Sequence, residues 1–146
     1  MTAIEKVELP FLHLTFRHDL DIMFCRWRSF VNMQEFQEGY WMALEVAQKH
    51  HARFWLHDLR LRNSSTAAER HWFDQDFVSA VARQLPIGLS VAYLMSPLQH
   101  EHIDQKTSRI EEVISYGSLL QLRYFVSEHD ALDWLQECRK RTISSS

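Results

Sequence analysis

The chain opens with stretches in which apolar and polar residues alternate. Residues 12–18 (LHLTFRH) carry apolar side chains at alternating positions, which is the pattern of a strand with one buried face. Residues 19–21 supply a turn, and extended character resumes over residues 22–27. We therefore predict that the fold begins with an antiparallel hairpin.

Three further apolar runs are short and sharply bounded, which favours buried strands over helices. They cover residues 53–57, 88–96 and 120–126. The run over residues 88–96 is the most continuous, and it lies between a glycine and a proline. The sequence thus predicts about five strands in all.

The longer segments between these runs have apolar residues at helical spacing. Asn32 and Thr66 each have a glutamate three residues later, which is the capping-box pattern of a helix start. The two helices that follow are predicted over residues 32–51 and 66–86, the second ending at a proline.

Two more helices are predicted in the second half of the chain. One lies between Pro97 and Gly117, and the other follows Ser127, which has Asp130 as its capping partner. The apolar positions that support the first of these helices are Ile103, Ile110, Val113 and Ile114. Those that support the second are Ala131, Leu132, Leu135 and Cys138.

The predicted order of elements is ββαβαβαβα. Each later strand is reached through a helix, the connection that parallel strands require. This order predicts an α/β fold with a mixed sheet of about five strands and four helices, in which the first hairpin supplies the one antiparallel step. We expect a single domain over residues 1–146, with a core over about 11–141 and a short polar tail over 142–146.

Composition narrows the classes of function. The 146 residues have a formal net charge of -3, which offers no excess of cations for a nucleic-acid backbone. Only 3 glycines are present, so no glycine-rich phosphate loop is expected. The amino terminus does not resemble a secretion signal, and no apolar run is long enough to span a bilayer. We expect a cytoplasmic protein with no nucleic-acid partner and no membrane insertion.

Metal, redox and hydrolytic chemistry have weak support in the sequence. Cys25 and Cys138 have apolar neighbours and are expected to be buried. The 9 histidines do not follow metal-binding spacings, and no cofactor or metal is predicted. A hydrolase built from Ser64, His57 and Asp58 remains a remote alternative, because adjacent strand residues point to opposite faces and no nucleophile-elbow motif exists.

Three segments carry a resemblance to a known family: FWLHDLRLRNSSTAAERHWF from residue 54, VAYLMSP from residue 91 and YFVSEHDALDWL from residue 124. Together with the order of elements, they resemble the STAS superfamily, and more narrowly small stand-alone bacterial proteins of the SpoIIAA-like kind. The resemblance implies a STAS-like α/β fold, in a group whose members largely lack an assigned activity. None of the three segments is a catalytic signature.

In anti-sigma factor antagonists of this superfamily, the resemblance implies a phosphorylated serine at the start of the second helix, which switches binding to a kinase partner. The comparable residues here are Ser64 and Ser65. Asn63 stands where the family has an acidic residue, and Thr66 stands where it has glycine. Helix capping is the alternative interpretation of the same polar stretch.

The residues after the central strand form a second candidate site. Asp58, Arg60 and Arg62 follow residues 53–57, and ligands of open α/β sheets bind beyond the carboxyl ends of strands. In an extended loop the two arginines would point one way and hold an anionic group bidentately. Trp72 would add an apolar wall if it opened beside Asp58. A structural ion pair of Asp58 is the alternative.

These observations leave three hypotheses open. The first is a non-enzymatic regulatory module that binds a protein partner, either an anti-sigma-like kinase or a second copy in a homodimer, with phosphorylation at Ser64 or Ser65 as its switch. The second is a carrier of a small apolar or anionic ligand that uses Asp58, Arg60, Arg62 and Trp72. The third is the hydrolase.

Overall fold

The computed structural model describes residues 4–104 and 113–144. Within these ranges, seven strands form one sheet in the order β1-β2-β3-β4-β5-β7-β6. The strands are β1 (Ile4–Leu9), β2 (Leu12–Arg17), β3 (Ile22–Trp27), β4 (Phe54–Asp58), β5 (Leu89–Leu94), β6 (Ile114–Tyr116) and β7 (Leu120–Phe125). The α/β class and the mixed sheet are confirmed, but the predicted number of about five strands is wrong.

The two extra strands lie at the edges of the sheet. β1 pairs antiparallel with β2, and β6 pairs antiparallel with β7, whereas β3, β4, β5 and β7 are mutually parallel neighbours. The sheet therefore has three antiparallel steps, not the predicted one. Edge strands bury less of their surface than central ones, and their apolar alternation is correspondingly weak; β6 has only 3 residues.

Four helical rods are present in the described residues. They are α1 (Met33–His50), a composite rod of α2 (Ala67–Trp72), a π-helical turn (Phe73–Phe77) and α3 (Val78–Gln84), then α4 (Pro97–Asp104) and α5 (Glu128–Ser144). Both capping boxes are formed: the Asn32 and Thr66 side chains accept from the backbone N–H groups of Glu35 and Glu69. The prediction of four helices is confirmed.

The third predicted helix is shorter than expected. α4 ends at Asp104, and residues 114–116 form β6 instead of a last helical turn. Gly117 has a φ of 61°, a conformation that favours glycine, and it turns the chain from β6 back into β7. Ile110 lies outside the described residues. At the carboxyl end, α5 includes residues 142–144, which were predicted as tail; residues 145–146 are not described.

The helices cover the two faces of the sheet unequally. α1 and the composite rod pack on one face with a large aromatic cluster, in which Trp27, Trp55 and Phe77 are fully buried. α5 packs on the other face, where Leu56 and Leu94 meet Leu135. Because successive strand residues point to opposite faces, each strand contributes alternately to the two layers.

Candidate functional site

A cavity of about 520 Å³ opens at the carboxyl end of the parallel strands. Leu59 and Met95, which come directly after β4 and β5, form part of its wall. The remaining wall comes from β5, β6, β7, α1, α2, the π-helical turn, α4 and the loop over residues 62–65. This is the edge at which ligands bind in open α/β sheets, and the volume lies within the range of about 300–1,000 Å³ that is usual for small-molecule sites.

Aromatic side chains make up much of this cavity. Those that line it are Phe36, Tyr40, Phe73, Tyr93, Tyr116 and Tyr124. The hydroxyl groups of Tyr40 and Tyr93 are hydrogen bonded to each other at 2.9 Å, and the rings of Tyr93 and Tyr124 are stacked with centroids 5.5 Å apart. The Tyr116 hydroxyl donates to Asp74 at 2.6 Å, which joins β6 to the π-helical turn. This aromatic part of the wall is therefore apolar with a few fixed hydroxyl groups.

Arg62 is the buried cation of the cavity wall, with 6% of its surface exposed. Its guanidinium group lies over the rings of Trp27 and Phe36, 4.7 and 5.2 Å from their centroids. Nη2 donates to Ser65 Oγ at 2.9 Å, whereas the buried Nη1 finds no hydrogen-bond partner in the part of the chain that the structure describes. No carboxylate within residues 4–104 or 113–144 forms an ion pair with it.

The backbone around Arg62 is fixed by neighbouring elements. Its N–H donates to the Leu59 carbonyl at 3.0 Å, closing a tight turn directly after β4. The Gln99 side chain, from α4, donates to the carbonyl groups of Leu59 and Arg62 at 2.8 and 3.0 Å. Asn63 pairs through its amide with the backbone of Val31. The guanidinium group is thus held by a rigid turn rather than by a mobile loop.

His57 is fully buried behind the tyrosine pair. Its Nδ1 accepts from Trp27 Nε1 at 3.0 Å, and its ring is stacked on Tyr40 with centroids 5.1 Å apart. Burial, together with the positive charge of Arg62, lowers the pKa of His57 to about 3. The imidazole is therefore neutral at physiological pH with its proton on Nε2, and that proton meets no acceptor among the described residues.

Asp58 points to the opposite face of the sheet and belongs to a separate cluster of charges. It accepts from Arg26 at 3.0 Å and from Arg60 Nε and Nη2 at 2.9 Å each. Arg26 also donates to Glu128 at the start of α5 at 2.9 Å. Partial burial alone would raise the pKa of Asp58, but the hydrogen bonds from Arg60 and Arg26 outweigh it and hold the pKa below its usual value.

The structure separates the residues that the sequence grouped. Arg62, Ser64 and Ser65 line the cavity, whereas Asp58 and Arg60 lie outside it. The chain turns after Leu59 instead of running extended, and consequently the two arginine side chains diverge. The ion pair that the sequence left open for Asp58 is present.

Trp72 does not open beside Asp58. It is buried against α1, edge-to-face with Trp41 at 5.1 Å and with Phe36 at 5.8 Å between ring centroids. Trp41, 40% exposed, is the partly open ring of this group. The apolar wall that Trp72 was expected to provide comes instead from other aromatic side chains.

Sequence reasoning missed the tyrosines and Gln99. The hydroxyl pair of Tyr40 and Tyr93 joins positions 53 residues apart that no local pattern connects. One signal was present: Tyr93 and Tyr124 each lie near the carboxyl end of a predicted strand, where parallel neighbours bring side chains together.

Other candidate sites among the described residues have weaker structural support. His129, Asp130 and Asp133 could together approach a metal ion at the start of α5, but all three are exposed. Ser64 is exposed, and Ser65 is half-buried. No helix within the described ranges has the length and apolar character needed to cross a bilayer.

Comparisons with known proteins give one structural similarity to report. No family model and no curated protein matches the chain. Among solved structures, the chain is similar to an uncharacterized protein of the DUF3478 family from Shewanella loihica, which is described as having a SpoIIAA-like fold. The two share 13% sequence identity over 92% of this chain and 93% of that chain, with a TM-score of 0.46.

Proposed function

We propose that this protein is a cytoplasmic, non-enzymatic binding module whose cavity holds a small organic ligand. The observation that carries the proposal is the position of Arg62, a cation that is 6% exposed and lines a cavity of about 520 Å³ without a carboxylate partner among the described residues. The proposal combines the expected ligand carrier with the expected absence of a reaction.

The physical argument concerns the cost of burying charge. Removing an ion from water costs several kcal/mol, and folded proteins normally recover that cost by pairing the ion. Stacking on Trp27 and Phe36 and the bond to Ser65 recover part of it for Arg62. A bound anionic group would recover more, so the cavity favours an occupant that brings one.

Two measurements test this proposal. Native mass spectrometry of freshly purified protein is expected to show a copurified small molecule, and calorimetric titration with the fluorescent probe anilinonaphthalene sulfonate is expected to give saturable binding with one equivalent per chain. A protein that is empty in repeated preparations and shows no saturable probe binding would contradict the proposal.

A second candidate is a regulatory module that binds a protein partner and is switched by phosphorylation. Its support comes from the loop after β4, which lines the cavity, and from the loop before α1, which it contacts. Phe30 is 76% and Leu61 is 54% exposed, on two loops that Asn63 joins. A phosphate on Ser65 would lie next to Arg62, which already donates to its hydroxyl group, and Ser64 is accessible to a kinase.

This second candidate has its own test. Peptide mass spectrometry of the protein isolated from its natural host is expected to find phosphate on Ser64 or Ser65. Sedimentation analysis of Ser65→Asp and Ser65→Ala is expected to show different association states if the partner is a second copy. Unmodified serines together with identical sedimentation would remove both the switch and its homodimeric form.

A further inference from the structure

The arginine and carboxylate side chains around the cavity add up to one unit of positive charge. Three side chains of its wall are charged: Arg62, Arg70 and Asp74. Arg70 and Asp74 have opposite signs and lie on the exposed side, where Arg70 donates to the Ser65 carbonyl and Asp74 accepts from Tyr116. Of these three side chains only Arg62 is buried, and its positive charge is the one that is not offset. One buried cation matches one negative charge on a ligand.

The hydroxyl pair of Tyr40 and Tyr93 adds a hydrogen-bond donor to the same wall. Two hydroxyl groups have two protons, and their mutual bond uses one. Burial raises the pKa of both tyrosines, so both protons are retained at neutral pH. The second proton has no acceptor among the residues that the structure describes. Phe36 links this pair to Arg62: its ring centroid lies 5.2 Å from the guanidinium group and 4.9 Å from the centroid of Tyr40.

The Arg62 guanidinium group and the tyrosine pair therefore each offer a donor to a ligand. A planar guanidinium group favours a planar acceptor with two oxygens, which is the geometry of a carboxylate. A phosphate monoester has up to two negative charges at neutral pH and would leave one of them buried without a cation.

The other side of the cavity is aromatic. The rings of Phe36, Phe73 and Tyr124 line it, and aromatic rings favour offset-stacked or edge-to-face neighbours. A volume of about 520 Å³ holds a molecule of one or two rings with its anionic group.

We propose that the cavity binds an aromatic monocarboxylate of one or two rings, whose carboxylate pairs with Arg62 and accepts from the Tyr40–Tyr93 hydroxyl pair. This inference rests on the proposed binding function and names its ligand class. The ring lies among the aromatic side chains of the wall, and no covalent step is involved.

Calorimetric titration with matched compounds tests the ligand class. The probes are 1-naphthoate and benzoate, each compared with its neutral amide, and 1-naphthyl phosphate as the doubly charged anion. For the wild-type protein, freed of copurified molecules, we expect at least one carboxylate to bind about tenfold or more tightly than its amide, because the ion pair is made only by the carboxylate.

Variants at the two neighbouring arginines identify the residue responsible. Arg62→Met is expected to reduce the ratio of carboxylate to amide affinity to about one while the amide affinity stays similar, because methionine keeps the apolar contact and loses the charge. Arg60→Met, its matched control outside the cavity, is expected to leave the ratio unchanged. Arg62→Lys, which retains the charge but loses the planar fork, is expected to give an intermediate ratio and serves if Arg62→Met does not fold.

Each contrary result has a distinct meaning. Equal binding of carboxylate and amide by the wild-type protein, or tighter binding of the naphthyl phosphate, overturns the ligand class and leaves the binding function standing. Failure of every probe compound to bind also overturns the ligand class. Only that failure together with empty protein and no binding of anilinonaphthalene sulfonate overturns the proposed function as well.

Discussion

Arg60 and Arg62 lie two residues apart in the turn after β4, and their environments differ in every respect. Arg60 has a side chain that is 48% exposed and makes a two-bond pair with Asp58. Arg62 is 6% exposed, lies on the opposite side of the sheet, and pairs with no carboxylate in residues 4–104 or 113–144. The same residue type therefore has two different roles within three positions.

The difference follows from the turn and from the alternation of β4. His57 points to the aromatic layer and Asp58 to the α5 layer, since adjacent strand residues face opposite sides. Arg60 folds back onto Asp58 and Arg62 continues into the cavity. Charges that are satisfied within the chain contribute to the fold, whereas a buried charge left with spare donors is available to a ligand.

Removal of Asp58 should have the largest effect on stability. Asp58→Ala leaves Arg26 and Arg60 without their shared carboxylate, and we expect the free energy of unfolding to fall by about 2–3 kcal/mol because the lost bonds are charge-assisted and partly buried. Urea unfolding followed by tryptophan fluorescence measures this change.

Asp19→Ala is the matched control, because Asp19 pairs with Arg17 at the surface. An exposed local ion pair contributes little, so no measurable change is expected there. If the two variants lost the same stability, the cluster around Asp58 would be no more than a surface contact and the contrast with the cavity would fail.

Local signals in the sequence were enough for most of the fold. Asn32 and Thr66 form the capping boxes that their spacing predicted, and the 22–27 strand follows the predicted turn. β1 and β6 were missed because edge strands bury one side only in part. The helix predicted up to residue 117 was wrong because Ile114 and its neighbours fit a strand as well as a helix face.

The candidate site was less predictable, because it depends on contacts between distant residues. The carboxyl edge of the sheet and Arg62 were both identified from the sequence. The turn after Leu59 decides which arginine enters the cavity. A backbone hydrogen bond closes that turn, and the pattern of apolar and polar residues does not predict such a bond. The partners of Arg26 illustrate the same limit: Asp58 and Glu128 are 32 and 102 residues away.

As the pH falls, the protein should first lose stability through His57, which lies on the same face of the sheet as the cavity. His57 has a pKa of about 3 in the folded protein, whereas an unfolded histidine titrates near 6.5. Between these values the unfolded state binds more protons, so stability decreases as the pH falls. From pH 6.5 to pH 5, we expect His57 to account for a loss of about 2 kcal/mol. Asp58, whose pKa is lowered, loses its contribution only in more acidic solution.

Unfolding curves at pH 6.5 and pH 5 for wild-type protein and His57→Asn measure this loss. Asparagine keeps an acceptor for Trp27 Nε1 and cannot be protonated, so the variant should lose about 2 kcal/mol less than the wild-type protein over that interval. Contributions of the other histidines are common to both proteins. The control His71→Asn, at an exposed position, should behave like the wild type. Parallel curves for wild type and His57→Asn would mean that His57 is not held neutral.

The smallest expected change in stability comes from substituting Arg62 and Arg60 by methionine, which compares the two residues directly. Arg62→Met in ligand-free protein removes a buried cation and keeps a long side chain against Trp27 and Phe36. Replacing a buried charge with an apolar side chain of similar size is often neutral or stabilising. We therefore expect the free energy of unfolding to stay the same or to rise by up to about 1 kcal/mol.

Arg60→Met should change stability in the other direction, by about 0.5 kcal/mol, because it breaks a half-exposed pair while Arg26 still neutralises Asp58. Thermal and urea unfolding of both variants side by side give the comparison. A larger loss for Arg62→Met than for Arg60→Met would show that the chain itself already satisfies the Arg62 charge. The cavity would then contain no cation that lacks a partner. A residue that serves binding should not be needed for the stability of the ligand-free protein.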